Sequence, residues 1–379
     1  MTAPTAQTEA GFLPRVESLR GLAALCVAIS HAYGLVFEKA VLSPGFQPSD
    51  LLFEIGVLPL FLTNGATAVV LFFVISGLVL GRSLDLRPPS GRLSDYLSFL
   101  WRRAWRIYPA HVVVVLAIVL LGLAMGGELA TVRRTTDPGE VLRNLLLINT
   151  DLNGQTWTLR IEVLMCFIFP ALHAVMRSGP RTAWAVTAAF ALAALYLKSE
   201  GHDLLHPTLY ISAFCLGLLV WDFGPAACRA VLSVIRRPGL AVVLAWVAMM
   251  LPCYLLPLSQ LHLRVQLEAL GGFLLLSLVV WAPANPVARV LEHPWVRWFG
   301  RISFSFYLWH LVVLLLTSTA AAVLWPKPTN PAVALAVDTG ALAFSLVVAT
   351  VLAGVSHAVV ERPGVGLGRR IGAVFGRRG

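Results

Sequence analysis

Long apolar stretches separated by short polar segments run through the whole sequence. A bilayer core of about 30 Å is crossed by a helix of about 20 apolar residues, and on that scale the pattern predicts ten membrane spans. The segments between them contain Arg, Pro and Gly, which mark turns and helix ends. The predicted spans are residues 17–37, 64–81, 107–125, 157–176, 182–197, 207–222, 239–257, 263–281, 303–325 and 331–358.

The composition agrees with this pattern. Hydrophobic residues make up 58% of the 379 residues and charged residues only 13%, a balance that soluble domains of this length rarely reach. We therefore predict an all-α integral membrane protein with about ten transmembrane helices. Its expected parts are an N-terminal tail over residues 1–16, a membrane domain over residues 17–360 and a basic C-terminal tail over residues 361–379.

The positive charges indicate topology. The net charge is +10, but Arg and Lys lie between apolar runs and not along one soluble face, which argues against nucleic-acid binding. If both termini are cytoplasmic, twenty-one basic residues fall inside and seven outside. Cytoplasmic loops carry the excess of Lys and Arg, so we predict that both termini are cytoplasmic. The first span has no basic cluster before it, which argues against a cleaved signal peptide.

The cysteines point to neither a metal site nor a disulfide framework. All five lie in or beside apolar stretches without the paired spacing of metal ligands. We interpret them as buried thiols: Cys26, Cys166, Cys215, Cys228 and Cys253.

Two ionisable residues share one face of the first predicted span. Arg20 and His31 are eleven residues apart, which places them on one stripe and about 16 Å apart along the helix. Ionisable groups at membrane depth often mark function, and this distance suits an elongated ligand with an anionic end. Two structural alternatives stay open, a histidine bonded to a neighbouring carbonyl and an arginine that marks topology.

A second basic group precedes the third span in "LWRRAWRIYPAH". Arg103 and Arg106 are three residues apart on one helical face, so their guanidinium groups form a fork suited to phosphate. Arginines and aromatic residues at a membrane interface are also ordinary anchors, and from this segment alone the anchor interpretation is favoured.

Two later spans carry further polar residues. Glu162 lies near the start of the fourth span and could orient a histidine or accept a hydrogen bond from a substrate hydroxyl. An ion pair with Arg160 is the alternative, although residues two apart do not face each other on a helix. Tyr307 and His310 share a face of the ninth span, where an aromatic belt explains the tyrosine better than the histidine.

Together these stretches resemble the acyltransferase 3 family of membrane acyltransferases, which includes bacterial O-antigen and exopolysaccharide O-acetylases. The resemblance covers nearly the whole chain. Each motif is weak alone, but five in family order make a specific signal. The matching residues are Arg20 with His31, then Phe72, Phe73, Ser76 and Gly77, then Arg103 with Arg106, then Trp157, Thr158, Leu159 and Glu162, and finally Tyr307 with His310.

The sequence departs from the family pattern after Glu162. Many members have a second acid and an aromatic pair there, whereas this chain has Val163, Met165 and Cys166. Many relatives also carry a fused SGNH esterase-like domain after the last span. We expect this chain to lack that domain, so any such activity would need a separate periplasmic partner.

The resemblance implies a membrane-bound O-acyltransferase of the bacterial cytoplasmic membrane. It would transfer an acyl group, most often acetyl, from cytoplasmic acyl-CoA to a hydroxyl of an envelope polysaccharide or lipid-linked glycan, with no tightly bound cofactor. His31 and Glu162 are the expected catalytic residues. The other expected site residues are Arg20, Arg103 and Arg106 for donor binding, with Ser76, Trp157, Tyr307 and His310 in support.

Two other classes of function remain open from the residues alone. Buried His, Arg and Glu could line the proton or solute path of a secondary transporter, although no repeat or pair of broken helices is visible. A non-catalytic glycan exporter or scaffold is the third interpretation. Loss of donor binding without loss of function would favour it.

Overall fold

The computed structural model describes residues 13–41, 62–86, 92–124, 137–196, 206–324 and 331–377. Within these ranges the chain is helical and contains no strand. The first predicted tail up to residue 12 and residues 42–61 lie outside the described residues. The helices are α1 (Pro14–Val41), α2 (Gly65–Asp85), α3 (Leu93–Ala124), α4 (Pro138–Leu145), α5 (Trp157–Met176), α6 (Pro180–Tyr196), α7 (Ile211–Val234), α8 (Pro238–Leu255), α9 (Leu261–Trp281), α10 (Pro286–Glu292), α11 (Pro294–Leu324), α12 (Pro331–Ser356) and α13 (Arg362–Arg377).

Helices occur at all ten positions where the hydrophobic pattern predicts spans. Eight are long and apolar enough to cross a membrane, which confirms an all-helical multi-pass protein in the described part of the chain. The predicted spans in α1 and in the 17-residue α6 are not among these eight. The count of ten and the side of the termini therefore stay predictions.

Several helices extend beyond the predicted spans. The helix α3 begins at Leu93, so Arg103 and Arg106 lie inside it and precede its apolar half. The loop predicted over residues 126–156 contains α4, and the basic tail after residue 361 forms α13. Leu and Arg favour helix, which is consistent with the start of α3 before its apolar window.

The chain divides into two compact units. The first comprises Met1–Cys26, Phe61–Ser90 and Glu162–Arg301, and the second comprises Val27–Leu60, Gly91–Ile161 and Ile302–Gly379. The helices α1, α5 and α11 each contribute residues to both units.

Glycines bring α2 and α7 together in the first unit. A Cβ atom added to Gly77 would meet the backbone carbonyl of Phe214, and one added to Gly217 would meet the carbonyl of Val74. Small residues of this kind let helix backbones approach closely in membranes. Gly77 belongs to the "FFVISG" segment, so this motif glycine makes a backbone-to-backbone contact.

A buried ion pair lies on α9 of the same unit. Arg264 Nε donates to Glu268 Oε1 at 2.9 Å, and the side chains are 9% and 1% exposed. Thr67 on α2 donates its hydroxyl to the same carboxylate oxygen at 3.0 Å. The charges are thus satisfied inside the helix packing, as buried charges must be.

We expect the effects of substituting Arg264 and Glu268 on protein stability to be strongly coupled. Glu268→Leu leaves the Arg264 charge buried without its partner and should destabilise the protein by about 3–5 kcal/mol. Arg264→Leu together with Glu268→Leu should recover much of that loss. Urea or thermal unfolding of the purified variants measures both values, and additive losses would contradict the coupling.

Candidate active site

The second unit places two predicted site residues in direct contact. His31 Nδ1 on α1 lies 3.0 Å from His310 Nε2 on α11, and the two rings are within 7° of parallel. His310 is 2% exposed, whereas His31 is half-buried. His310 Nδ1 in turn lies 2.7 Å from the backbone carbonyl oxygen of Tyr307. The three groups form a chain that begins at a carbonyl and ends at a half-buried histidine.

The carbonyl determines the tautomers along this chain. Because a carbonyl oxygen only accepts hydrogen bonds, His310 Nδ1 must carry a proton and donate a hydrogen bond to the backbone carbonyl oxygen of Tyr307. In a neutral ring His310 Nε2 then accepts, so His31 Nδ1 is the donor. His31 Nε2 is left with a free lone pair, which is the form that a general base requires.

A short segment before α5 holds the backbone carbonyls of Tyr307 and Leu308 in place by hydrogen bonds. Gln155 Nε2 donates to the carbonyl oxygens of Tyr307 and Leu308 at 2.9 and 3.1 Å, and Asn153 Nδ2 donates to that of Leu308 at 3.2 Å. The hydroxyls of Thr158 and Tyr307 lie 2.9 Å apart. These residues are all buried, so the segment holds the histidine-bearing turn of α11 in place.

Arg20 belongs to the first unit. Its Nη2 donates to the carbonyl oxygen of Gly300 at 3.2 Å. A Cβ on Gly300 would meet the backbone of Glu17, and one on Gly21 would lie 2.9 Å from the Gly300 Cα. Close packing of the start of α1 on α11 therefore positions the guanidinium.

The pair Arg103 and Arg106 belongs to the second unit and is half-buried on α3. A π-helical turn over His357–Glu361 joins α12 to α13 and buries a carboxylate near this helix. Ser305 Oγ donates to Glu361 Oε2 at 2.8 Å, and the charge of Arg106 acts on the same carboxylate. A carboxylate held by Ser305 thus contributes to the electrostatics around Arg106.

The remaining predicted residues lie on α2 and α5. Glu162 is half-buried on α5 in the first unit, and Arg160, two residues before it, is exposed. Ser76 is half-buried on α2 beside Gly77, and Trp157 is half-buried at the start of α5. That Glu162 orients His31 stays a prediction.

Sequence reasoning missed Gln155, Asn153 and Glu361. The first two lie in the short segment before α5, where no periodicity assigns a face, although Gln155 directly precedes the "TWTLRIE" motif. Glu361 ends the last apolar run. A charged residue at that position is typical of the end of a membrane span, so it did not stand out. Among the described residues, no group of three or more His, Cys, Asp or Glu could hold a metal ion.

Comparison with known proteins agrees with this architecture. A family profile described as an acyltransferase domain matches residues 13–356. The chain is 26% identical to "Acyltransferase MdmB" of Streptomyces mycarofaciens, over 94% of this chain and 93% of that protein. It is 27% identical to "O-acetyl transferase" of Shigella phage Sf6, over 50% of this chain and 54% of that protein. No solved structure shows significant similarity.

The membrane helices and the extent of the match define the class as a multi-pass membrane acyltransferase. The chain belongs to the acyltransferase 3 family, as the order of its motifs predicts.

Proposed function

We propose that this protein transfers an acyl group from acyl-CoA to a hydroxyl on an envelope glycan or a similar extracytoplasmic acceptor. Acetyl is the expected acyl group. The observation that carries the proposal is the chain from the Tyr307 carbonyl through His310 to His31, which leaves His31 Nε2 as a proton acceptor. The similarity to a phage O-acetyl transferase supports an oxygen acceptor.

The reaction needs a base that removes the proton of the acceptor hydroxyl and then transfers it to the leaving thiolate. His31 Nε2 takes the proton of the acceptor hydroxyl while its oxygen attacks the thioester carbonyl, and a tetrahedral intermediate forms. Collapse of the intermediate breaks the carbon–sulfur bond, and the proton on His31 passes to the departing thiolate. An acyl-histidine intermediate is the alternative route, and a burst of acyl-enzyme before product would distinguish it.

His310 supports this chemistry through His31. When His31 takes the proton it becomes a cation, and its Nδ1–H bond to the neutral His310 Nε2 becomes charge-assisted. The carbonyl of Tyr307 accepts from the far side of His310, so positive charge is shared along the chain. Two imidazoles thus do the work that a carboxylate and a histidine do in many hydrolases.

The donor and the acceptor are proposed to approach from opposite membrane faces. With both termini cytoplasmic, Arg20, Arg103 and Arg106 lie toward the compartment where acyl-CoA is made. Their guanidinium groups would bind its phosphates while the pantetheine arm runs toward His31. Glu162 would position the acceptor or orient His31. The expected location is the bacterial cytoplasmic membrane.

Replacement of His310 by phenylalanine should slow the chemical step with little effect on donor binding. The phenyl ring fills the site but cannot accept the His31 Nδ1 proton, so we expect kcat to fall by about 10- to 100-fold. The KM for acetyl-CoA should change less than about twofold, since the ring is remote from the phosphates. Steady-state kinetics of the purified enzyme measures both constants.

A buried histidine elsewhere provides the control. His262 is also buried in a span and bonds the backbone carbonyl of Ala194 at 2.6 Å, so His262→Phe loses a similar contact outside the site. Equal losses of kcat in the two variants would assign His310 a purely structural role.

The transferase itself is tested by supplying both substrates. Purified protein in proteoliposomes is given radiolabelled acetyl-CoA and envelope polysaccharide from a strain that lacks the gene. Label in base-labile ester linkage on the polysaccharide supports the function. Proton-driven solute uptake without ester formation would instead favour a transporter.

A further inference from the structure

The C-terminal helix packs along α3 through three glycines. A Cβ on Gly364 would lie 3.0 Å from Pro109 Cγ, one on Gly368 2.5 Å from Trp105 Cβ, and one on Gly372 3.3 Å from Arg102 Cγ. Ser98 Oγ, one turn earlier on α3, donates to the carbonyl of Gly372 at 3.1 Å. Residue numbers rise along α13 as they fall along α3, so the two helices are antiparallel.

The antiparallel packing fixes which arginines share a side of the helix pair. Each residue is rotated by about 100° around the helix axis from the residue before it. In two antiparallel right-handed helices that face each other, the residue that follows a contact residue therefore points to the same side of the pair on both helices. Arg103 follows the contact residue Arg102, and Arg106 follows Trp105. Arg369 follows the contact residue Gly368, and it therefore lies on the side of Arg103 and Arg106.

The same contacts fix the height of Arg369 along α3. Gly368 lies opposite Trp105 and Gly372 lies opposite Arg102. Arg369 is thus level with the interval between Arg103 and Arg106. Helices pack with axes about 8–10 Å apart, and glycine contacts favour the short end of that range. Three long guanidinium side chains can converge across such a gap.

The three arginines outnumber the Glu361 carboxylate, on which the charge of Arg106 acts. Glu361 lies in the turn that precedes α13, and α13 itself carries no acidic side chain. Arg369 is exposed on the surface of the helix pair. Its neighbour Arg370 is also exposed but is turned about 200° from the contact direction, away from the arginines of α3.

We infer that Arg369 of α13 completes a phosphate-binding site with Arg103 and Arg106 of α3. The ligand is a molecule with several phosphate groups, which in the proposed function is the coenzyme A part of the donor. Arginine binds phosphate through paired, charge-assisted hydrogen bonds, and three guanidinium groups match a diphosphate with a further phosphate nearby. The inference rests on the proposed function, because it takes coenzyme A as the donor.

Binding of coenzyme A by two adjacent variants tests the site. Full-length protein in nanodiscs of zwitterionic lipid is titrated with coenzyme A and with pantetheine, which has no phosphate, by isothermal calorimetry. Arg369→Gln should weaken coenzyme A binding by about tenfold and leave pantetheine unchanged. Arg370→Gln, matched in chemistry, exposure and helix position, should leave both unchanged. Arg369→Lys should recover part of the affinity because it restores the charge.

Each other outcome overturns a defined claim. Equal effects of Arg369→Gln and Arg370→Gln overturn the site while the proposed function stands. If the wild type binds no coenzyme A, the donor assignment of the proposed function fails, and the site fails with it. In nanodiscs containing phosphatidylglycerol, retention of that lipid that depends on Arg369, with coenzyme A binding that does not, would overturn the coenzyme A site and place a lipid headgroup there, while the proposed function stands.

Discussion

Replacement of His31 by alanine is expected to lower kcat for acyl transfer by about 10³-fold, within the range for loss of a general base. The variant loses the Nε2 lone pair that receives the acceptor proton, while donor contacts elsewhere are retained. Coenzyme A binding should therefore stay within about twofold of the wild type. Ester formation on acceptor glycan by purified enzyme, together with calorimetric binding of coenzyme A, measures the two effects separately.

Ser30 provides the control for His31. It precedes His31 on α1 and is similarly half-buried, so Ser30→Ala perturbs the same helix without removing the imidazole. Full activity is expected from it. If His31→Ala also kept full activity, the histidine chain would be structural and the base would lie elsewhere in the protein.

Replacement of Gly77 by alanine is expected to prevent correct packing of α2 on α7. The added methyl group would collide with the Phe214 carbonyl, and a backbone in a packed helix cannot move aside as a side chain can. Overpacking in such a place costs more than about 3 kcal/mol, enough to lose most of the folded protein. The measurement is the yield of monodisperse protein in detergent and its thermal unfolding midpoint.

The same substitution at Gly340 should be harmless. A Cβ there meets no atom within 4 Å, and alanine favours helix by about 0.5–1 kcal/mol over glycine. The two variants differ only in the space around the methyl group. Equal unfolding midpoints would show that α2 and α7 do not approach as closely as described.

The helices could be predicted from the sequence because lipid imposes a simple rule. Every backbone polar group must be bonded within the segment, so an apolar run of sufficient length is a helix. The rule says little about helices at the membrane edge. The first part of α3, the short α4 and the basic α13 are helical without being apolar, and the pattern therefore placed loops or tails there.

The site could be predicted only as separate pieces. Spacing placed Arg20 with His31 and Tyr307 with His310 because each pair lies on one helix. The contact between His31 and His310 joins residues 279 positions apart, which no local periodicity reveals. Gly364, Gly368 and Gly372 follow the four-residue spacing of packed membrane helices, but Gly366 between them obscures the pattern.

The histidine chain also has an electrical consequence. Its three members at rest are two imidazoles and a carbonyl, none of which carries net charge. An ion moved from water into a low-dielectric interior costs several kcal/mol, and a carboxylate at this depth would bear that cost permanently. A dyad of neutral rings becomes charged only while a substrate proton is in transit. The low-dielectric membrane therefore raises the free energy of the charged intermediate and does not raise that of the folded enzyme at rest.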